Sequence, residues 1–223
     1  MDLAALRVSL TLAAATSLSL LVLGLPLAAW LAFTRSRWRS IVEPLVALPL
    51  VLPPTVLGLT ILLSLGPRSP FGRAFESVTG RTLAFSFEGL LVASILYSLP
   101  FAVQPFATAF ATVDLRIREA AACLGASPLR IFLQVILPLS RRGLAAGLIL
   151  SFAHTLGEFG VVLMVGGNIP GVTRTASVAI YDSVQALDYG AAVRTSLVLV
   201  GLALAVLAAA SRLLGGLVVG GRR

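Results

Sequence analysis

The sequence predicts an all-α membrane protein, a polytopic bundle of about five transmembrane helices in a single domain spanning residues 1–223. Three observations lead there. Hydrophobic residues make up 58% of the chain and charged ones 12%, with a mean hydropathy of +1.00, whereas a soluble domain is roughly a quarter charged. Five apolar stretches, at residues 8–33, 41–65, 89–111, 143–165 and 195–219, reach the ~20 residues a helix needs to cross a bilayer. None of them alternates with period two, which disfavours a transmembrane β-barrel.

The first stretch is long enough to span and has no clear small-residue cleavage site, so it reads as a span and not as a cleavable leader. The second holds LPLVLPPTVLG at 48–58, with Pro49, Pro53 and Pro54 at membrane depth. Each proline removes a backbone donor and kinks or breaks the helix, which is tolerated where the freed carbonyls meet protein or a wet path. The segment is therefore either a structural kink or an unwound stretch lining a translocation path. The third stretch opens in AFSFEGLLVAS at 84–94 and is interrupted by SLPF at 98–101.

Residues 114–138 are ordered in pattern but too polar to span. Asp114 is suited to cap a helix, and Ile117, Ala120, Ala121 and Leu124 share one face. Gly125 suits the positive φ just past a helix end. Ser127 and Pro128 start a second short helix, cap first and proline at its first position, with Leu129, Phe132, Leu133 and Ile136 as its apolar face. Pro138 then leads into the fourth stretch. Such a helix pair either lies on the bilayer surface or presents a charge-edged helix to a soluble partner.

The fourth stretch carries His154 and Glu158. An acid inside a span is expected to face the bundle interior. It would repel an anion, so Glu158 reads as a hydrogen-bonding or gating residue, and His154, one turn earlier, as a packing partner. No second histidine, cysteine or carboxylate is spaced to complete a metal site. Residues 166–194 are too polar to span and predict an external mouth with a helix at about 176–187. Gly143/Gly147 and Gly216/Gly220 have the spacing used where helices pack closely. The one cysteine, Cys123, excludes an intrachain disulfide and sits in a small-residue run as packing.

Orientation follows from charge. All 17 basic residues are arginines and the net charge is +8. They are scattered between apolar runs and form no aromatic-laced basic face, which argues against nucleic acid. In a five-span arrangement Arg35, Arg37, Arg39, Arg116, Arg118, Arg130, Arg141, Arg142, Arg212, Arg222 and Arg223 fall on one side. The other side holds only Arg7, Arg68, Arg73, Arg81, Arg174 and Arg194. The richer side is expected to be cytoplasmic, with the N-terminus outside and the C-terminus inside.

Glu119, Ala120 and Ala121, followed by Gly125 and then Leu137–Pro138, resemble the EAA loop of ABC-importer permease subunits. Val135 stands where that pattern usually has isoleucine. LPLVLPP-x-VLG, LGEFG at 156–160, NIPG at 168–171 and the pair Thr173–Arg174 are similar to the molybdate branch of the family, over most of the chain to about residue 188. The resemblance implies a type I importer permease fold in the inner membrane of a prokaryote. It implies a coupling role for Glu119, Ala120, Ala121, Gly125, Leu137 and Pro138, and two copies of an ABC ATPase as partners. A second copy of this chain and an extracytoplasmic oxyanion-binding protein would complete the assembly.

The cargo would be molybdate, with tungstate of the same geometry and charge. A tetrahedral dianion is best passed by hydroxyls, amides and few fixed positive charges, which makes Thr55, Thr155, Asn168, Thr173 and Arg174 candidates for its path, with Pro53 and Pro54 as the unwound stretch beside it and Glu158 as the gating residue. A P-loop needs lysine and the chain has none, so the expectation is a non-enzymatic subunit without a cofactor of its own, ATP being bound by the partner. A sulfate- or thiosulfate-type permease is the alternative. An ion-coupled secondary transporter would need inverted repeats and a midplane ion site, and Glu158 is the sole buried acid on offer.

Overall fold

The structure, a computed structural model, describes residues 2–213. Arg222, Arg223, Gly216 and Gly220, and the end of the predicted fifth span, lie outside the described residues. No strand occurs among the described residues.

Helix α1 (Leu3–Phe33) begins where the Asp2 carboxylate accepts the Ala5 N–H at 3.0 Å. Helices α2 (Arg39–Ala47) and α3 (Pro54–Leu65) occupy the second apolar stretch. A 3₁₀ turn at Leu48–Leu50 and an extended Pro53 join them, and their axes differ by 112°. The prolines break this span, as expected. A short amphipathic helix that the sequence reading did not anticipate, α4 (Pro70–Thr79), follows, capped by Ser69 and closed by Gly80 at φ +68°.

Helix α5 (Phe87–Ala111) is the centre of the bundle and touches α1, α2 and α3. The loop after it folds into α6 (Leu115–Cys123) and α7 (Pro128–Ile131), a π-helical turn at Phe132–Ile136, and α8 (Leu137–Leu139). At Ser140 the chain bends by 70° into α9 (Arg141–Gly157). After a break at Glu158–Phe159 comes α10 (Gly160–Gly166), then α11 (Ala176–Gln185) and α12 (Tyr189–Leu213). Among the described residues α1, α5 and α12 are unbroken and apolar enough to cross a membrane, and counting each bent helix pair as one span gives five.

The core explains this order. Lipid is as apolar as leucine, so membrane helices associate through close packing at small residues. Ala102, Val103, Phe106 and Phe110 of α5 are fully buried. The Phe106 ring sits between two glycines of different helices. A Cβ on Gly24 of α1 would lie 3.6 Å from it, and one on Gly147 of α9 only 2.6 Å. Gly143, one turn earlier, presses on Ala109, where a Cβ would approach to 2.3 Å. The Gly143/Gly147 pair is thus the surface by which α9 meets α5. From Gly143 beside Ala109 to Gly166 beside Leu90, α9 and α10 run antiparallel to α5.

Several expectations need correction. The fourth span is not one helix: Glu158 is extended, at φ −66° and ψ 134°. Residues 166–194 are not simply a polar mouth, because the first half of α11 belongs to the core. Val178 is fully buried with Leu12, Leu90 and Val162, and the Ala176 N–H donates to Ser9 Oγ at 2.8 Å. Helix α12 already starts at Tyr189, inside that predicted loop. In the loop after α5, Leu129 and Leu133 do not face a core but are 68% and 50% exposed. Cys123, expected as a packing residue, is exposed.

Overpacking a tight interface costs about 1–3 kcal/mol. Gly147→Val should therefore lower the thermal midpoint of the detergent-solubilised protein clearly, whereas Gly157→Ala, where a Cβ meets nothing within 4 Å, should leave it nearly unchanged.

Candidate functional site

Two regions gather the predicted residues: the α6–α8 loop and the zone of helix breaks. In the loop, Asp114 Oδ1 accepts the Arg116 N–H at 2.9 Å and starts α6. Gly125, at φ +81°, ends it, a conformation costly for any residue with a Cβ. Ser127 Oγ then accepts the Arg130 N–H and starts α7. Glu119 and Ala120 are exposed and Ala121 is half-buried. Ile117 and Leu124 of the same helix are 47% and 89% exposed. Helix α6 therefore presents both its carboxylate and apolar side chains outward. Leu137 is half-buried and Pro138 exposed in α8.

What holds this loop was not visible in the sequence. The Arg118 guanidinium lies 4.4 Å over the Phe33 ring at the end of α1, a cation–π contact. Phe33 packs against Phe110 of α5 at 6.3 Å, and Phe110 meets Phe132 of the π-turn edge-on at 5.5 Å. Ser140 Oγ donates to the Ala109 carbonyl at 3.1 Å at the far end of the loop. The partners are far apart in sequence and no local spacing announces them.

The second region holds the path candidates. Pro53, Pro54 and Thr55 are exposed, and Pro54 packs on Gly160, where a Cβ would come within 2.7 Å. The break between α2 and α3 thus faces the break between α9 and α10. Glu158 is buried at 7% exposure. Its Oε1 accepts the Val161 N–H at 2.9 Å and so caps α10, and its carbonyl accepts the Ser177 hydroxyl. Thr155 is buried, within 2.9 Å of Ser98 Oγ, and donates to the Ser151 carbonyl. The buried Thr173 hydroxyl donates to the Gly166 carbonyl and accepts the Ile169 N–H.

Arg174 is held by three elements. It pairs with Asp2 at 3.6 Å and with Asp182 at 3.4 Å, and its Nε donates to Asn168 Oδ1 at 2.6 Å. Asn168 in turn donates to Asp182. His154 is a packing residue here: Ser98 Oγ lies 2.9 Å from Nδ1 and Phe101 stacks at 3.9 Å. Of the predicted candidates, Pro53, Pro54 and Thr55 have free surface, while Thr155, Glu158, Asn168, Thr173 and Arg174 have their polar groups engaged within the fold.

The described residues form a broken-helix bundle with an exposed helical loop between two central spans. The family model described as binding-protein-dependent transport system inner membrane component matches residues 24–222, and the chain belongs to this family. Among its relatives, the molybdenum transport system permease protein ModB of Azotobacter vinelandii is 52% identical, over 86% of this chain and 84% of that one. The ModB protein of Haemophilus influenzae is 34% identical, over 83% and 81%. Two solved structures share the fold at 17% identity. The MetNI methionine ABC transporter, in inward-facing conformations, gives a TM-score of 0.77 over 96% of this chain and 94% of that one. A bacterial alginate ABC transporter in complex with an alginate-bound periplasmic protein gives 0.75 over 96% and 80%.

The capping role of Glu158 predicts a graded series. Glu158→Gln keeps an acceptor and should retain thermal stability in detergent, while Glu158→Ala should lose about 0.5–2 kcal/mol, the usual cost of a lost cap.

Proposed function

We propose that the chain is the membrane subunit of an ATP-driven importer carrying molybdate, with tungstate as an equivalent cargo, into the cytoplasm. The observation that carries this reading is helix α6: capped by Asp114, ended by Gly125 at φ +81°, outward-facing, and anchored through Arg118 and Ser140 to α1 and α5. The molybdenum names of relatives up to 52% identical support the cargo over sulfate or thiosulfate.

In this reading the loop end of the bundle faces the cytoplasm, the C-terminus lies inside and the N-terminus outside. Two copies of the chain enclose the path and two ATPase copies grip the loops. Glu119 meets basic groups of the ATPase, Ala120 and Ala121 permit close approach, and Leu137 and Pro138 carry the motion into α9. Closure of the ATPases on nucleotide draws the loops together and turns the spans outward, where a binding protein delivers the oxyanion. Pro53, Pro54 and Thr55, at the facing helix breaks, line its way. The chain lacks the lysine of a P-loop, so hydrolysis belongs to the ATPase subunit.

The test is uptake of labelled molybdate by the complete complex in liposomes, with and without ATP. A side chain at a left-handed position costs roughly 1–2 kcal/mol, or about tenfold in an equilibrium. Gly125→Val should therefore cut uptake by about tenfold per ATP hydrolysed, and Glu119→Ala, which removes the charge offered to the ATPase, should lower it too, both with membrane insertion intact. Unchanged uptake in both variants contradicts the reading.

A further inference from the structure

Helix α5 and its C-cap carry Gln104, Thr108 and Thr112 at four-residue spacing, on one face. All three are exposed, opposite the fully buried Ala102, Val103, Phe106 and Phe110. Thr112 donates to the Ala109 carbonyl at 2.8 Å. Among the described residues the side chains of Gln104 and Thr108 make no hydrogen bond. Other outward positions of the spans mix apolar side chains, as at Leu18, Val22 and Leu63, which are 64%, 71% and 68% exposed, with small hydroxyls such as Thr11, Thr60 and Ser64; among α1, α5 and α12 the Gln104 amide is what sets this face apart. An unpaired amide facing hydrocarbon costs several kcal/mol, so this face of α5 is built for water or for polar cargo.

Two clefts flank the ridge, and Gln104 and Thr108 line both. One, of about 390 Å³, reaches Arg39 and Glu43 on α2. Those two pair at 3.1 Å, so their charges cancel. The other, of about 540 Å³, reaches Ser140 and Arg142 at the start of α9. The arrangement is a ladder of neutral donors ending at one cation. Neutral donors pass a dianion along without trapping it, and Arg142 gives the ladder a positive end beside the α6–α8 loop.

We propose that the Gln104–Thr108 ridge of α5, set between its two clefts, lines the path of the tetrahedral oxyanion toward Arg142 and the loop end of the bundle. The proposal rests on the reading of the chain as an oxyanion permease and assigns path residues that the helix breaks do not include.

Isosteric pairs test it in the complete complex reconstituted in liposomes, with labelled molybdate as the probe. Gln104→Glu is compared with wild type, and Thr108→Asp with Thr108→Asn. Like charges brought together are strongly disfavoured, so each acid should transport about tenfold more slowly than its neutral partner, and Thr108→Asn should stay within about threefold of wild type. Equal rates within each pair, whether both normal or both lost, overturn the proposal.

Should the acidic variants fail to assemble, Gln104→Leu and Thr108→Val decide, since both keep the volume and remove the donor. Assembly with uptake cut by about tenfold supports a donor-lined path. Normal uptake, or failed assembly of these apolar variants, marks a lipid-facing or packed position and overturns the proposal. A wild-type complex that moves no molybdate would defeat the functional reading itself, which is a separate outcome.

Discussion

The bundle depends on one contact, the ring of Phe106 lodged between Gly24 and Gly147. It seats α9 on α5 at backbone distance, since a Cβ on Gly147 would come within 2.6 Å of the ring, while Gly24 brings α1 to the ring's other edge and α1 also packs on α9. In a bilayer there is little hydrophobic gain in bringing helices together, so such close packing decides the arrangement. The consequence for function is geometric. The α6–α8 loop leaves α5 at Ala111 and returns as α9 to the same helix, with Gly143 against Ala109 and Ser140 bonded to the Ala109 carbonyl. Both roots of the loop are therefore set on one helix, and in the proposed function a push on α6 reaches the centre of the bundle.

The helix breaks are the complementary weak points. Pro53 and Pro54 interrupt one span and the extended Glu158 interrupts another, and the two interruptions meet at Gly160. Each exposes backbone groups that must be satisfied inside the protein at membrane depth. Glu158 does so with both its carboxylate and its carbonyl. The acid that the sequence offers as a hydrogen-bonding or gating residue thus holds the first turn of α10 and makes a broken helix tolerable. At the other end Arg174 ties Asp2, Asn168 and Asp182 together across three elements, so its charge is shared with carboxylates.

What was legible in the sequence was local. Composition defined the class, proline chemistry located the break at 53–54, and Asp114, Gly125 and Ser127 marked the helix ends around α6 as the structure has them. What was illegible depends on distant partners. The break at Glu158 falls in LGEFG, where no proline marks it and the apolar run continues on both sides. The burial of Val178 depends on Leu12, Leu90 and Val162. Leu129 and Leu133 fit an apolar face by spacing, and nothing local says that the face is left uncovered. Arg118 over Phe33 and the exposure of Gln104 appear only once α1, α2 and α9 are in place around α5.

The central claim is that the α6 handle projects into the cytoplasm, where an ATPase grips it. The chain's single cysteine, Cys123, lies on α6 and is exposed, so the wild-type protein carries its own reporter. A membrane-impermeant maleimide should label Cys123 in inside-out vesicles stripped of the ATPase, leave it unlabelled in intact spheroplasts, and be blocked when the ATPase is bound. Labelling in intact spheroplasts would put the handle on the wrong side of the membrane and contradict the account.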